Sequence, residues 1–358
     1  MRMSLFAKVG IAGLAILWFS AAQAVVTLVP IPPVTGSSDT GVFGINDSNV
    51  IVGNWYDSDS VEHGYFGTVD GNYTTFDYTG TDVVGTEPRG ISDDGYIDGW
   101  APDTDFLYGY EFVRGPDGSF ATVTEGKGNK AVPLDGIAQG ITKNDTFSGD
   151  HWLYVGSQYI RYAYVGKAGK WQQDLSLPFG STRQAARGIN KNGVVIGFFL
   201  GSDGNTHGFL LQNGVAHQID YPNSKAVGTY LEGINDNGLV TGQWDDKNGN
   251  PSGFMLDTAT NTFTSIKIPG STYVQPFGVN NSGLIVVGSD AGNFIYCPKK
   301  ANKCPGGGTE IADGPTIRAA AGAFWRIDAS RGSDLTTHVP PQAPLGKPFH
   351  GPGRPALP

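Results

Sequence analysis

Apolar residues along this chain come in short runs rich in Val, Ile and Leu, and glycine or a polar-glycine pair closes most of them, as in Gly193-Val-Val-Ile-Gly197 and Gly238-Leu-Val-Thr-Gly242. Short β-branched runs bounded by turn residues read as strands. Glycine makes up 53 of 358 residues, and no long stretch carries a 3.6-residue apolar period with caps. Helices are therefore not expected.

The runs belong to a repeat. Gly-Ile-Asn-Asp at 44–47 returns as Gly-Ile-Ser-Asp at 90–93, Gly-Ile-Thr-Lys at 140–143, Gly-Ile-Asn-Lys at 188–191, Gly-Ile-Asn-Asp at 233–236 and Gly-Val-Asn-Asn at 278–281. The successive spacings are 46, 50, 48, 45 and 45. Each signature leads through a turn (Asp94-Gly95, Asn192-Gly193, Asn237-Gly238, Ser282-Gly283) into a second strand. Asn-Gly suits a tight hairpin because both residues tolerate positive φ. An aromatic third strand follows, as in His207-Gly-Phe-Leu-Leu211, and then a fourth, such as Phe263–Ile268 or Tyr73–Tyr78. Four short antiparallel strands per period predict an all-β fold, a six-bladed β-propeller.

Strand counting predicts how the ring closes. Fourth strands follow only five of the six signatures, near 73, 119, 170, 215 and 262, while Val25–Ile31 precedes the first signature with the same pattern. An open ring would leave an exposed sheet edge. Val25–Ile31 is therefore expected to complete the last blade, beside Phe277–Asn280, Leu284–Gly288 and Phe294–Cys297.

Composition sets the boundaries. Arg2 and Lys8 flank an apolar run, Val9–Phe19, that ends at Ala22-Gln23-Ala24, so residues 1–24 read as a secretory signal peptide. Residues 25–304 form the propeller. In 305–358, nine prolines and nine glycines make up a third of the segment. That level predicts a disordered, flexible tail, with a short helix over Arg318–Ala329 around Phe324 and Trp325. No run approaches the ~20 apolar residues of a spanning helix. Between residues 25 and 297, 14 Lys and Arg face 29 Asp and Glu, a net of −15, which argues against nucleic acid and anionic lipid as partners. Cys297 and Cys304 are the only cysteines, and an exported chain, extracellular or periplasmic, should pair them in a local disulfide.

Gly-Ile-Asn-x-x-Gly, a β-branched run ending in Gly, and His207-Gly-Phe209 or His63-Gly-Tyr65 together resemble the HAF repeat family of bacterial extracellular proteins, across roughly residues 25–297. The family's histidine is replaced here by Tyr108, Tyr162, Ser252 and Gly292, and the third unit has Asn144-Asp145 where the turn usually carries Gly. The resemblance implies a secreted repeat protein and no particular reaction.

The residue just before the signature Gly varies, as Phe43, Arg89, Gln139, Arg187, Glu232 and Phe277, while the residue after it is always Ile or Val. The constant residue suits packing between blades. The varying one should look into the upper channel, where Arg89, Gln139, Arg187 and Glu232 could grip a carboxylate or sugar hydroxyls, or where Arg187 and Glu232 simply pair. The loops between second and third strands are expected to hold Trp55-Tyr56-Asp57, Trp100 with Asp103 and Asp105, His151-Trp152, Phe199 with Asp203, and Trp244-Asp245-Asp246. Trp55, Trp100 and Trp244 with nearby acids suit stacking on sugar rings, or else cap their own blades. Asp246, Asn248 and Asn250, with Asp257, faintly resemble a calcium loop, but Pro251 stands where that loop needs Gly. No nucleophile elbow, zinc helix or phosphate loop occurs, and the chain calls for no cofactor or metal. His63 and His207 share one repeat position, which suits a structural hydrogen bond.

Two functions fit. The first is a secreted, non-enzymatic propeller that binds or scaffolds a carbohydrate or an extracellular protein. The alternative is an extracellular hydrolase or lyase with its site in the channel. Oligomeric state is not legible in the sequence.

Overall fold

The computed structural model describes residues 25–319, apart from 81, 105–108, 127–130, 144, 156–157, 224, 300 and 302–303, together with 325–327. The expected signal peptide, Asp105, Tyr108, Asn144, Phe324 and most of the expected tail lie outside the described residues. Within them the chain is all-β: every regular element is a strand.

Each signature opens an antiparallel meander. In unit four, Gln184–Ile189 pairs with Val195–Leu200, which pairs with Thr206–Gln212, which pairs with Val215–Ile219. Unit five repeats this with Ala226–Ile234, Leu239–Asp246, Pro251–Asp257 and Thr262–Ser265. In unit six, Val274–Val279, Ile285–Ser289 and Phe294–Cys297 are followed on the outside by Val25–Pro30, with Thr27 opposite Cys297 and Pro30 opposite Phe294.

The turn after each signature differs from the expected one. Gly193 lies at φ 72 and Asn192 is not left-handed, while Gly193 N donates to Asn190 O at 2.9 Å. This is a three-residue connection ending in one left-handed residue, so a single position, not two, needs positive φ. Asn49 (φ 61) and Asp145 (φ 53) fill that position in units one and three, being among the side chains that tolerate it best.

The signature Asn has two tasks. Asn190 Oδ1 accepts from the amides of Asn192 and Val194, at 3.0 and 3.1 Å, which locks its own turn. Its Nδ2 donates to the carbonyl of Asn235 in the next unit at 3.1 Å, Asn235 donates to Asn280 at 2.8 Å, Asn280 to Asn46 at 3.1 Å, and Asn46 to Ser92 at 3.1 Å. The signature Gly serves close approach: a Cβ on Gly278 would stand 2.9 Å from Phe43 O and 3.0 Å from Gly44 Cα. First strands thus pack backbone to backbone, and that of unit six touches that of unit one.

The core lies between consecutive sheets. Leu284, Val286 and Ile295 of unit six pack with Ile45, Ile51 and Tyr65 of unit one, and Ile196 and Leu210 of unit four pack with Leu231 and Val240 of unit five. The signature Ile or Val enters these layers, as Ile45 and Val279 do.

Beyond Cys297, which is disulfide-bonded to Cys304, the chain forms edge strands where a flexible tail is expected. Thr309–Ala312 adds to Val25–Pro30, Thr316–Arg318 to Thr262–Ser265, and Trp325–Ile327 to Val215–Ile219. The segment therefore runs along the outer edges of units six, five and four. Arg318 and Trp325 stand in strands, not in the expected helix. Open edges offer unpaired N–H and C=O groups, and these prolyl- and glycyl-rich stretches still satisfy them. No described helix is long and apolar enough to cross a membrane.

Candidate functional site

Phe43, Arg89, Gln139, Arg187, Glu232 and Phe277 converge around one small cavity of about 20 Å³. It adjoins a second cavity of about 110 Å³ lined mainly by the signature glycines and isoleucines. The local cause is common to the units: the ladder shifts register at Pro88/Gly90, Ala138/Gly140, Ala186/Gly188 and Leu231/Gly233, so the residue before the signature Gly bulges out of the strand. A bulge re-aims a side chain, here toward the shared cavity.

The six residues divide into an apolar wall and a polar arc. Phe43 and Phe277 meet edge to face, with centroids 5.1 Å apart. Arg89 lies over the Phe43 ring at 4.3 Å and pairs with Glu87. Arg187 Nη1 donates to Gln139 Oε1 at 2.8 Å, its Nε is 3.8 Å from Glu232 Oε2, and its guanidinium lies 5.1 Å from the Phe198 ring. Burial pulls the Arg187 guanidinium below its ordinary pKa, against the opposing pull of Glu232. Even so, three donors are buried without a hydrogen-bond partner: Arg89 Nε, Gln139 Nε2 and Arg187 Nε. Gln139 is only 8% exposed.

Of the residues expected to bind ligand, the structure brings Arg89, Gln139, Arg187 and Glu232 together and leaves the tryptophans away from the mouth. Trp55, Trp100 and Trp244 lie inside second strands, Val50–Tyr56, Ile97–Pro102 and Leu239–Asp246, rather than in loops. Trp55 stacks on His63 of its own sheet at 4.5 Å, and Trp244 stacks at 5.2 Å on Tyr221, in the link between units four and five. Trp100 stands opposite Glu111. The third-strand register also puts Tyr110, not Tyr108, at the place of His63: Trp55 faces His63 as Ala101 faces Tyr110.

The two histidines bind neighbouring segments. His207 Nδ1 meets Asp220 Oδ1 at 2.8 Å and its Nε2 meets Asp203 Oδ1 at 3.1 Å; His63 meets Asp77 at 2.9 Å and Asp57 at 3.4 Å. Burial disfavours the charged form of His207, but the bonds to Asp220 and Asp203 outweigh it and raise the pKa. Asp246 Oδ1 accepts from the amides of Asn248 and Asn250, at 2.8 and 3.1 Å, which makes an ordinary turn of the calcium-like segment.

Sequence reasoning missed a group of buried acids in units two and three. Asp98 and Glu111 are fully buried, as is Asp150, which accepts from Arg161 Nε. Tyr164 OH donates to Glu111 Oε2. Neither Asp98 oxygen has a well-aligned partner, although the amides of Gly90 and Gly140 lie close, and burial pushes its pKa up to about 7. Burial, reinforced by Asp150, Asp135 and Asp98, also raises Glu111 well above the carboxylate range. The signal was present in the repeat: Glu111 stands where Gly64, Gly208 and Gly253 stand, and Asp98 where Val52 and Ile196 stand.

No family model and no curated protein matches the sequence. Among solved structures, the chain is similar to a mutant Aleuria aurantia lectin in complex with Fucα1-6GlcNAc, at 14% identity and a TM-score of 0.45, over 81% of this chain and 100% of the lectin. The same mutant lectin in complex with α-methyl-L-fucoside is similar at 14% identity and a TM-score of 0.44, over 79% and 97%.

Proposed function

We propose that the chain is a secreted, non-enzymatic six-bladed β-propeller of the HAF repeat type, closed by Val25–Pro30, which binds a neutral carbohydrate across its channel mouth. Six signature units, the asparagine links that run from unit four through six to units one and two, and the pairing of Val25–Pro30 with Phe294–Cys297 support the architecture. The leader-like residues and the disulfide support export.

The observation that carries the binding reading is the trio of buried, unpartnered donors on Arg89, Gln139 and Arg187, beside an acceptor on Glu232. An unpaired buried donor costs about 1–3 kcal/mol, which a ligand oxygen can recover. Charge decides the class of ligand. Arg89 is paired with Glu87, and Arg187 stands near Glu232, so the mouth is locally balanced within an acidic ring. Sugar hydroxyls both accept and donate, which matches three donors next to a carboxylate, and Phe43 with Phe277 offers an apolar wall to a pyranose face. The 20 Å³ cavity has room for about one water, so a single hydroxyl can enter toward the buried donors while the sugar ring lies across the mouth. Among the described residues lining the small cavity Glu232 is the one carboxylate, whereas glycoside hydrolysis ordinarily uses a pair, which favours binding over hydrolysis.

A glycan array probed with residues 25–358, followed by calorimetry of Arg187→Ala and Gln139→Ala, tests this. Binding of neutral glycans that falls at least tenfold in both variants is expected. Binding to no neutral glycan, or binding indifferent to both substitutions, would overturn it.

A further inference from the structure

The contact between units two and three is built differently from its counterparts. Where unit one meets unit two, a Cβ on Gly64 would touch Pro88 at 3.0 Å; where four meets five, one on Gly208 would touch Leu231 at 2.9 Å; where five meets six, one on Gly253 would touch Pro276 at 2.8 Å. A third-strand glycine thus lies against an apolar side chain of the next unit's first strand. Between units two and three Glu111 takes the place of that glycine, and the glycine is on the other side: a Cβ on Gly136, in the first strand of unit three, would collide with Glu111 Oε1.

Two more acids cross the same seam. Asp98, on the second strand of unit two, is wedged between the first strands of both units: the amides of Gly90 and Gly140 lie close, and a Cβ on Gly90 would stand 2.5 Å from Asp98 Oδ1 and 3.1 Å from Gly140 Cα. Asp135 immediately precedes the first strand of unit three, and the Gly109 amide, on the third strand of unit two, lies close to its carboxyl. Glu111 itself accepts from Tyr164 OH, on the third strand of unit three. Each of these contacts joins unit two to unit three.

Polar atoms without partners gather at this seam. Among the described residues, the carboxyl oxygens buried without a hydrogen-bond partner are both of Asp98 and one each of Glu111, Asp135 and Asp150, all in units two and three. The charged groups acting on them are Arg89 on Asp98, Asp103 on Asp135, and Asp150, Asp135 and Asp98 on Glu111, with Asp150 held by Arg161. His151, whose ring meets Tyr164 edge to face, is bonded to Asp174. Arg89 attracts, and the acids repel one another. Burial pushes Asp98 and Asp135 up to about 7 and Glu111 well above the carboxylate range. All three shifts are upward, so the unfolded chain ionises first, and the seam loses stability as pH rises from the ordinary carboxylate range through the shifted one. A protonated carboxyl fits an apolar layer, whereas unpaired carboxylates there are costly.

We infer that the contact between units two and three is a pH-sensitive seam, closed while Asp98, Glu111 and Asp135 carry their protons and opened locally, with the contact between units five and six intact, when they ionise. The seam bears on the small cavity, because Gly90 and Gly140 directly follow Arg89 and Gln139.

Hydrogen exchange of residues 25–358, read by mass spectrometry at pH 5.5, 7 and 8.5 with each rate divided by the intrinsic rate at that pH, tests the inference. Protection over Gly109–Arg114 and Gly136–Ile141 should fall by about tenfold or more between pH 5.5 and 8.5, while protection over Ala226–Ile234 and Val274–Val279 should change by less than about threefold. Glu111→Gln combined with Asp135→Asn should keep the seam protected at pH 8.5, and Asp98→Asn alone should keep it protected in part. Melting temperatures at pH 5.5 report whether each variant folds, and if the double variant does not, Asp98→Asn decides. Equal loss in all four segments, no loss in the wild type, or an undiminished loss in the folded variants overturns the inference.

Discussion

Replacing Asp98 by Asn should make the protein more stable at pH 8 and leave that advantage absent near pH 4. In the folded chain Asp98 is fully buried with two unpartnered oxygens, and burial raises its pKa from 3.8 to about 7. Between those values the unfolded chain carries the carboxylate ionised while the folded chain must hold a proton. The contribution of Asp98 to wild-type stability therefore falls as pH rises through this window and levels off above about 7. The shift corresponds to at most about 4 kcal/mol, gained at about 1.4 kcal/mol per pH unit. Asn has nearly the same shape and no charge, so the difference between variant and wild type should grow from pH 4 to 7 and then stay constant. Urea unfolding at pH 4, 5.5, 7 and 8.5 reads it directly, and taking the difference removes the titrating groups that do not sense Asp98, Glu111 being one that does. A difference independent of pH would refute the assignment of a buried, neutral Asp98.

Gly278→Ala should destabilise the protein by several kcal/mol, because the new Cβ would meet backbone atoms of Phe43 and Gly44 that cannot turn aside, whereas Gly306→Ala, with nothing within 4 Å, should be close to neutral in the same melting assay. Asn280→Ala should cost about 2–4 kcal/mol in urea unfolding, since it strands the amides of Ser282 and Leu284 and the carbonyl of Asn46; a loss below 1 kcal/mol would remove the asparagine link from the account. Deleting residues 25–31 uncovers Phe294–Cys297 and removes the buried Val26, Leu28 and Val29, worth roughly 5–8 kcal/mol together, so most of the protein should be unfolded at 37 °C. Deleting 305–358 strips largely exposed edge strands and should lower the melting temperature by a smaller amount; equal losses in the two truncations would contradict the seam.

The repeat itself was legible because its determinants are local. A left-handed turn residue, a β-branched run and a period of two act within ten residues, so Gly-Ile-Asn and the run after it announce the hairpin wherever they occur. The pairing of Val25–Pro30 with Phe294–Cys297 was also legible, through a count of strands, since hydrogen-bonding groups at an edge must go somewhere. Arg89, Gln139, Arg187 and Glu232 could be placed together because they occupy one position of the repeat, just before the signature Gly, and they line one cavity.

What the tertiary structure alone decided depends on neighbours distant in sequence. The second task of the signature Asn, donating to the same residue one unit on, needs the adjacent unit in place. The tryptophans Trp55 and Trp244 look like loop residues until register sets them in strands against His63 and Tyr221. The Pro- and Gly-rich C-terminal stretch carries no strong strand pattern, yet Thr309–Ala312 and Thr316–Arg318 become strands because exposed edges supply their partners. Asp98 is the sharpest case: a carboxylate in a strand reads as a solvated side chain, and only the packing of Gly90 against Gly140 around it makes it a buried acid. Local pattern determined the strands of the repeat; the C-terminal edge strands, burial and charge state followed from how the sheets meet one another.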